Sequence, residues 1–288
     1  IIPFNIDPSE ITIMAIDSVM ANAVIRTGAT PIYSDIDPET FGSSPSAIES
    51  CISTNTRLIV AQHSFGIPCK IEAIKSLATK YKLFLLEDCA LSLGSKINGI
   101  TLGNFGDAAL FSTDHSKPIN TIIGGLIYSN NKNLIHSLRD KQADHSELSI
   151  KKKQALWKRF LLERIFSNPR RAGKLEFVDL FNQIKQRLFS LPEPFLADDY
   201  SSIIKKNDPY PAKIPSFLAK LGIIELDRWP ITVAERKAQL KHLLLILEKK
   251  KICIPNVYQN SSLEIIPLRI AWVSQNSDHI KRQLHPFL

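Results

Sequence analysis

At 288 residues, 44% hydrophobic and 22% charged, the chain has an ordinary globular composition and is long enough for one large domain and a smaller one. No apolar run approaches the ~20 residues that cross a bilayer, Ile1–Glu10 shows neither a basic n-region nor a signal cleavage pattern, and four scattered cysteines without C-x-x-C (Cys51, Cys69, Cys89, Cys253) argue against zinc or a disulfide framework, so a reducing cytoplasm is the expected location. The net charge of +8 lies almost wholly between Lys151 and Lys174, where nine basic residues face one acid, Glu163; charge confined to one segment argues against a nucleic-acid-binding protein.

Glu10 to Ile16 (EITIMAI) reads as a short buried strand, and Val19 to Thr27 as a helix closed by Gly28. PIYSDID is the next strand, followed by the turn sequence DPET; Pro45 to Ile52 starts a helix and TRLIVAQH is a further β-rich run. Ile71, Ile74, Leu77, Ala78 and Tyr81 fall at helical spacing within Cys69 to Tyr81. LFLLEDCA and Ala108 to Thr113 are apolar strands, and GGLIYS opens another. Strand and helix therefore alternate through Thr113, which predicts an α/β fold with a mostly parallel central sheet. Past Arg139 the pattern becomes helical: a basic helix over Asp144 to Asn168, an amphipathic one over Leu175 to Leu188, a proline-broken linker (LPEPFLADDY, KKNDPYPAKIP), then helices Ser216 to Trp229 and Ile231 to Lys250 and a small β-rich tail, CIPNVY and IIPLRIAWV. The expected organisation is a large domain over residues 1–214, with a basic helical insert at about 144–190, and a smaller α+β domain over 215–288.

Two strand ends carry the chemistry. LFLLED delivers Asp88 to the carboxyl end of one strand, and the strand over Ala108 to Thr113 leads into a polar loop holding Lys117. Ligands of open α/β sheets sit outside the carboxyl ends of the strands. A carboxylate and an amine aimed at one crevice suit a cofactor with a cationic ring nitrogen at one end and an aldehyde at the other, which describes pyridoxal 5'-phosphate.

The ordered succession GATPIYSDID, HSFGIP, EDCA, FGDAALFS and a lysine five residues after that serine resembles the DegT/DnrJ/StrS family of sugar aminotransferases, well from Glu10 to about Arg139 and more loosely onward to LAKLGIIELDRW. The resemblance implies a fold-type I aminotransferase-like three-layer domain, a homodimer with the site at the subunit interface, and transfer of an amino group from an amino acid, glutamate, to a nucleotide-linked keto sugar. It makes Lys117 the Schiff-base lysine and proton carrier, Asp88 the partner of the pyridinium nitrogen, Ser112 a ligand of the cofactor phosphate and His63 a neighbour of the cofactor. His63 equally fits a satisfied core histidine. Glu87 faces the other side of its strand, Asp107 supports the loop, and Gly124 and Gly125 match the family's glycine pair. No metal site is expected.

Departures from the family pattern support a second reading, a catalytically lapsed homologue acting as a partner or membrane-docked subunit. Leu91 stands where glutamine or histidine is usual, Asp17 or Ser18 where an aromatic ring stacks on the cofactor, and Pro211 and Lys213 where asparagine and arginine reach across the dimer. The family's phosphate-binding threonine turn would precede Glu10, and its final strands would follow HPFL, so the chain reads as a fragment or a truncated copy. In the basic segment, Trp157, Phe160, Leu161, Ile165 and Phe166 form an apolar stripe among lysines and arginines. Three uses are open for 151–174: packing on the domain, lying on an anionic membrane surface, or gripping a nucleotide-sugar diphosphate.

Overall fold

The computed structural model describes residues 10–14, 18–166, 184 and 211–271. β1 (Ile11–Met14), β2 (Thr30–Tyr33), β3 (Thr56–Gln62), β4 (Phe84–Asp88), β7 (Ala108–Ser112) and β8 (Gly125–Tyr128) form one six-stranded sheet in the order β2-β1-β3-β4-β7-β8. The first five run parallel and β8 returns antiparallel to β7. β5 (Lys96–Ile97) and β6 (Ile100–Thr101) form a small hairpin, paired on its other side with β9 (Leu263–Glu264). Its tip is Asn98-Gly99, both at positive φ, the pairing that a two-residue hairpin turn requires.

Because side chains alternate across a strand, the sheet has two apolar faces. Ile13, Ile59, Ala61, Leu85 and Ala109 pack with α2 (Pro45–Cys51) and α3 (Ile71–Tyr81) through Ile48, Ile71 and Ile74. Met14, Leu58 and Val60, with Phe84 and Leu86, pack on the other side with Ala21 and Val24 of α1 (Ser18–Arg26). Helix, sheet and helix make three layers, and strands covered on both faces explain the near-continuous apolar runs in the sequence. Ser44 caps α2 through Ala47 N–H, and Pro45 suits the first helical position.

After the sheet come α4 (Lys132–Asp144), capped by Asn131 on the N–H groups of Asn133 and Leu134, and α5 (Ile150–Phe166). The basic helix expected from Asp144 thus starts only at Ile150, after Ser149, whose Oγ accepts from Lys152 N–H at 3.3 Å. The apolar stripe divides: Phe160 packs inward, beside Leu156, with Ile122, Ile123, Leu218 and Leu221, whereas Trp157, Leu161 and Ile165 are exposed.

The two helices expected on either side of Pro230 are one helix, α6 (Ser216–Lys249), with the proline inside it. An interior proline costs about 3 kcal/mol through a lost hydrogen bond and a ring clash. Here both halves are anchored, Leu218 and Leu221 in one cluster and Leu240 against Ile67 and Val257 in another, while Leu226 is exposed and its carbonyl can turn to water. The expected β-rich tail is mainly a 3-10 turn (Asn256–Gln259) and the two residues of β9; prolines at 255 and 267 remove ladder donors on either side. Each hydrophobic cluster holding a residue beyond 215 also holds earlier ones. The helix expected over Leu175 to Leu188 (Ile184 apart), the linker Leu191 to Tyr200 and the end of the tail lie outside the described residues. No helix among the described residues is long and apolar enough to cross a membrane.

The segment after β9 is locked to the loop after β3. Ser95 Oγ donates to the Gly66 carbonyl at 2.6 Å and accepts from Ile266 N–H at 2.9 Å. Gly66 has φ +89, and a Cβ there would sit 2.3 Å from the Ile266 carbonyl oxygen.

Candidate cofactor site

Three neighbouring strands end together. Gln62 of β3 and Leu110 of β7 flank Asp88 in register; the Asp88 carbonyl accepts from His63 N–H at 3.1 Å, and the Leu110 carbonyl from Cys89 N–H at 2.8 Å. Asp88 is 4% exposed, and its Oδ1 accepts from Ala90 N–H at 3.0 Å. Ser112 ends β7 two residues beyond Leu110. Strand alternation therefore brings Asp88 and Ser112 to the same face of the sheet, the face of Leu86 and Val60. Ser112 Oγ is half-buried and accepts from Asp114 N–H at 3.4 Å.

The loop from Thr113 to Gly124 carries Lys117 and is closed at its base. Thr113 N–H donates to the Gly124 carbonyl at 3.0 Å, Thr121 N–H to the Thr113 carbonyl at 2.8 Å, and the Thr121 hydroxyl to Thr113 Oγ1 at 2.6 Å. Gly124 has φ +127, and a Cβ there would lie 3.0 Å from both Ile214 and the Thr113 hydroxyl. Nearer the tip, His115 N–H reaches the Ile122 carbonyl at 3.2 Å and Lys117 N–H the Asp114 carbonyl at 2.9 Å. Lys117 itself is half-buried.

Asp114 and His115, which the sequence reading did not single out, form an ion pair at 2.6 Å between Oδ1 and Nδ1. Burial pushes the Asp114 carboxyl up, but the His115 ring and N–H and the Lys117 charge outweigh it and hold it below the usual range. His115 is raised by its hydrogen bond to Asp114 against the effect of burial, with Glu163 adding to the rise. Glu163 belongs to α5; its carboxylate accepts from Asn120 Nδ2 at 3.1 Å and from Arg159 Nε at 2.8 Å. The signal for this link was the lone acid in a basic segment.

The structure does not bring His63 to this group. Its ring is wholly buried on the opposite face of the sheet, where Nε2 lies 3.2 Å from Glu87 and Nδ1 accepts from Cys69 N–H at 3.0 Å. The accepted N–H fixes the neutral tautomer with its proton on Nε2, leaving neither nitrogen for a ligand. Glu87, also wholly buried, accepts from Gly103 N–H at 2.9 Å and from Phe105 and Gly106 N–H at 2.7 Å each. Burial pushes this carboxyl up, but His63 and the Gly106 and Gly103 N–H groups outweigh it, so Glu87 stays ionised as the clamp of the 103–106 loop. Asp107 supports the same strand through Leu85 N–H, 2.8 Å from its Oδ2.

His63, Glu87 and Cys89 place one ligand-type atom each within 4.8 Å of one another, but the hydrogen bonds of His63 and Glu87 occupy those atoms. The Cys89 thiol is pushed well up by burial and by the Glu87 and Asp88 carboxylates, so it holds its proton. Of the departures from the family pattern, Leu91 is half-buried, Lys213 pairs through its N–H with the Ser146 carbonyl at 3.0 Å, Pro211 is exposed and Asp17 lies outside the described residues.

Residues 9–161 match the model of the DegT/DnrJ/EryC1/StrS aminotransferase family. The chain is similar to the GDP-perosamine synthase of Escherichia coli O157:H7, 45% identical over 113 residues, which are 39% of this chain and 31% of that protein. It is also similar to the L-glutamine:2-deoxy-scyllo-inosose aminotransferase of Streptomyces paromomycinus, 31% identical over 123 residues, or 43% of this chain and 29% of that protein. The chain thus matches less than a third of the length of these relatives. Among solved structures it resembles an aminotransferase from Psychrobacter cryohalolentis (TM-score 0.66, 21% identity, 92% of this chain and 60% of that one) and a DegT DnrJ EryC1 StrS aminotransferase from Brucella abortus (TM-score 0.68, 17% identity, 98% and 64%). The fold of these structures is the α/β layering described above, and with more than half of its residues matched, the chain belongs to the DegT/DnrJ/EryC1/StrS aminotransferase family.

Proposed function

We propose that this chain carries the pyridoxal-phosphate site of an aminotransferase that moves an amino group from an amino acid, glutamate, to a nucleotide-linked keto sugar. The observation that carries the reading is the placement of Asp88 and Ser112 on one sheet face at adjacent strand ends, with Lys117 in the loop that follows. A buried carboxylate, a hydroxyl and an amine are the donor set that such a cofactor needs. When bound, pyridoxal phosphate supplies the electron sink that makes the donor's α-hydrogen acidic. Asp88 would hold the proton on the ring nitrogen, and Ser112 would donate its hydroxyl to the phosphate. Lys117 would hold the cofactor at its aldehyde end and would be the base that takes the proton from the donor's α-carbon. Asp114 and His115 fix the backbone from which Lys117 extends. The E. coli relative's name, a GDP-perosamine synthase, supports the nucleotide-sugar acceptor, and we extend the reading to a homodimer.

Leu91 supports a second reading, a lapsed homologue, because three residues after Asp88 it offers a ligand no polar atom. One experiment separates the two: absorbance of the full chain with added pyridoxal phosphate, before and after borohydride, beside Lys117→Ala. A bound-cofactor band that borohydride fixes covalently in the parent and not in the variant supports the enzyme. Identical spectra matching the free cofactor overturn it.

A further inference from the structure

Helix α5 has two apolar faces, and only one is buried. Leu156, without exposure, and Phe160 pack into the cluster beneath the Lys117 loop. On the other side Ile150, Trp157, Leu161 and Ile165 are 75%, 46%, 42% and 56% exposed. Spaced at seven, four and four residues, they fall on one line down the helix, and the exposed Lys151 and Lys158 border that line.

Helix α6 runs alongside in the same direction. Trp157 meets Phe217 edge-on with ring centroids 5.2 Å apart, and further along Arg164 pairs with Glu225 at 3.1 Å. Seven residues on from Phe217, on the same line of α6, is Ile224, 53% exposed. The two helices therefore share a flank of large apolar side chains bordered by cations. Of the two helices, α5 lies within the basic segment, and from Lys151 to Arg164 it sets six basic residues against one acid, Glu163.

We propose that the flank formed by α5 and α6 docks on an anionic lipid bilayer, lying at its surface without crossing it. Apolar side chains in a line enter the boundary between headgroups and acyl chains, while the adjoining lysines stretch to the lipid phosphates. Charge complementarity selects this occupant: apolar contact alone would suit many surfaces, but a strongly cationic border selects a negatively charged one. None of the residues involved belongs to the cofactor site, so this inference goes beyond the proposed reaction.

The test is co-sedimentation of the full chain with vesicles of phosphatidylcholine alone or mixed with phosphatidylglycerol, with the mass in solution measured in parallel. The parent is expected to sediment with the anionic vesicles, not with the neutral ones, and to be released by salt. Lys151→Glu with Lys158→Glu, and separately Leu161→Ser with Ile165→Ser, should each weaken binding by about tenfold or more; all four positions are exposed, and circular dichroism checks the fold. Failure of the parent to bind overturns the proposal without any variant. So does binding that both double variants retain. A parent that does not bind vesicles but has a two-chain mass, lost in Leu161→Ser with Ile165→Ser, would assign the flank to a second copy instead.

Discussion

Asn120 donates through Nδ2 to Glu163 at 3.1 Å, and this contact ties the loop that carries Lys117 to helix α5. Glu163 also accepts from Arg159, and the Arg159 and Glu163 side chains are 19% and 17% exposed. Removing the carboxylate takes one acceptor from two donors, Asn120 and Arg159, in a partly buried place. Glu163→Ala is expected to lower the unfolding free energy by about 1–3 kcal/mol and to speed amide exchange across residues 114–122. Unchanged exchange there would mean that the loop holds itself.

Glu87 offers a sharper change. Each of its oxygens faces two donors: Gly103 N–H and His63 on one, Phe105 and Gly106 N–H on the other. In Glu87→Gln, either orientation of the amide points an NH2 at two donors. The expected loss is about 3 kcal/mol or more, read as a lower urea midpoint at constant slope.

The pH dependence of stability follows from the shifted groups. Asp114 and Glu87 have folded values below their ordinary ones, so their stabilisation is present above the ordinary carboxylate range and is lost as pH falls through the folded values. His115 is raised, so its contribution is complete below its ordinary value and fades as pH rises through the folded one. The Asp114–His115 pair therefore stabilises most between about pH 4 and pH 6.5. With the imidazole more than a third exposed, its share is below about 1 kcal/mol. Thermal melts of His115→Asn should lose the decline on the alkaline side and keep the acid one.

Gly66→Ala sets a Cβ against the Ile266 backbone carbonyl at 2.3 Å, at a φ of +89. Backbone on both sides cannot yield, so the segment after β9 must move. A loss of about 2 kcal/mol or more is expected, with faster proteolysis after residue 262. Wild-type resistance would mean that the Ser95 bridge does not hold this contact.

Pro230→Ala should act in the opposite direction. It restores a helix donor and removes a clash on an exposed stretch of α6, so the unfolding midpoint should rise, by about 1–3 kcal/mol less the entropy that proline removes from the unfolded chain.

The parallel strands were legible because burial on both faces writes long apolar runs, and the strand-end positions of Asp88 and Ser112 because strand ends can be counted. α6 was misread at Pro230 because a local rule against proline cannot see Leu218 and Leu240 holding the two halves in place. α4 escaped notice because its helix buries no residue, which leaves only Asn131 as a signal. The Asp114–His115 pair and the Asn120–Glu163 link were invisible for a different reason: the residues of the second lie 43 apart, and no periodicity connects a loop to a helix that far away. His63 could be placed near a strand end but not on a face until Glu87 and Cys69 claimed its two nitrogens.

The Glu87 clamp also decides where the chain can change length. Three backbone N–H groups within the four residues 103–106 converge on one carboxylate, so a single inserted or deleted residue there misaligns all of them at once. The neighbouring turn at Asn98-Gly99 is exposed and connects only two-residue strands. Tags, probes and grafted loops placed at that tip should leave the fold intact, while the same additions a few residues later should abolish it.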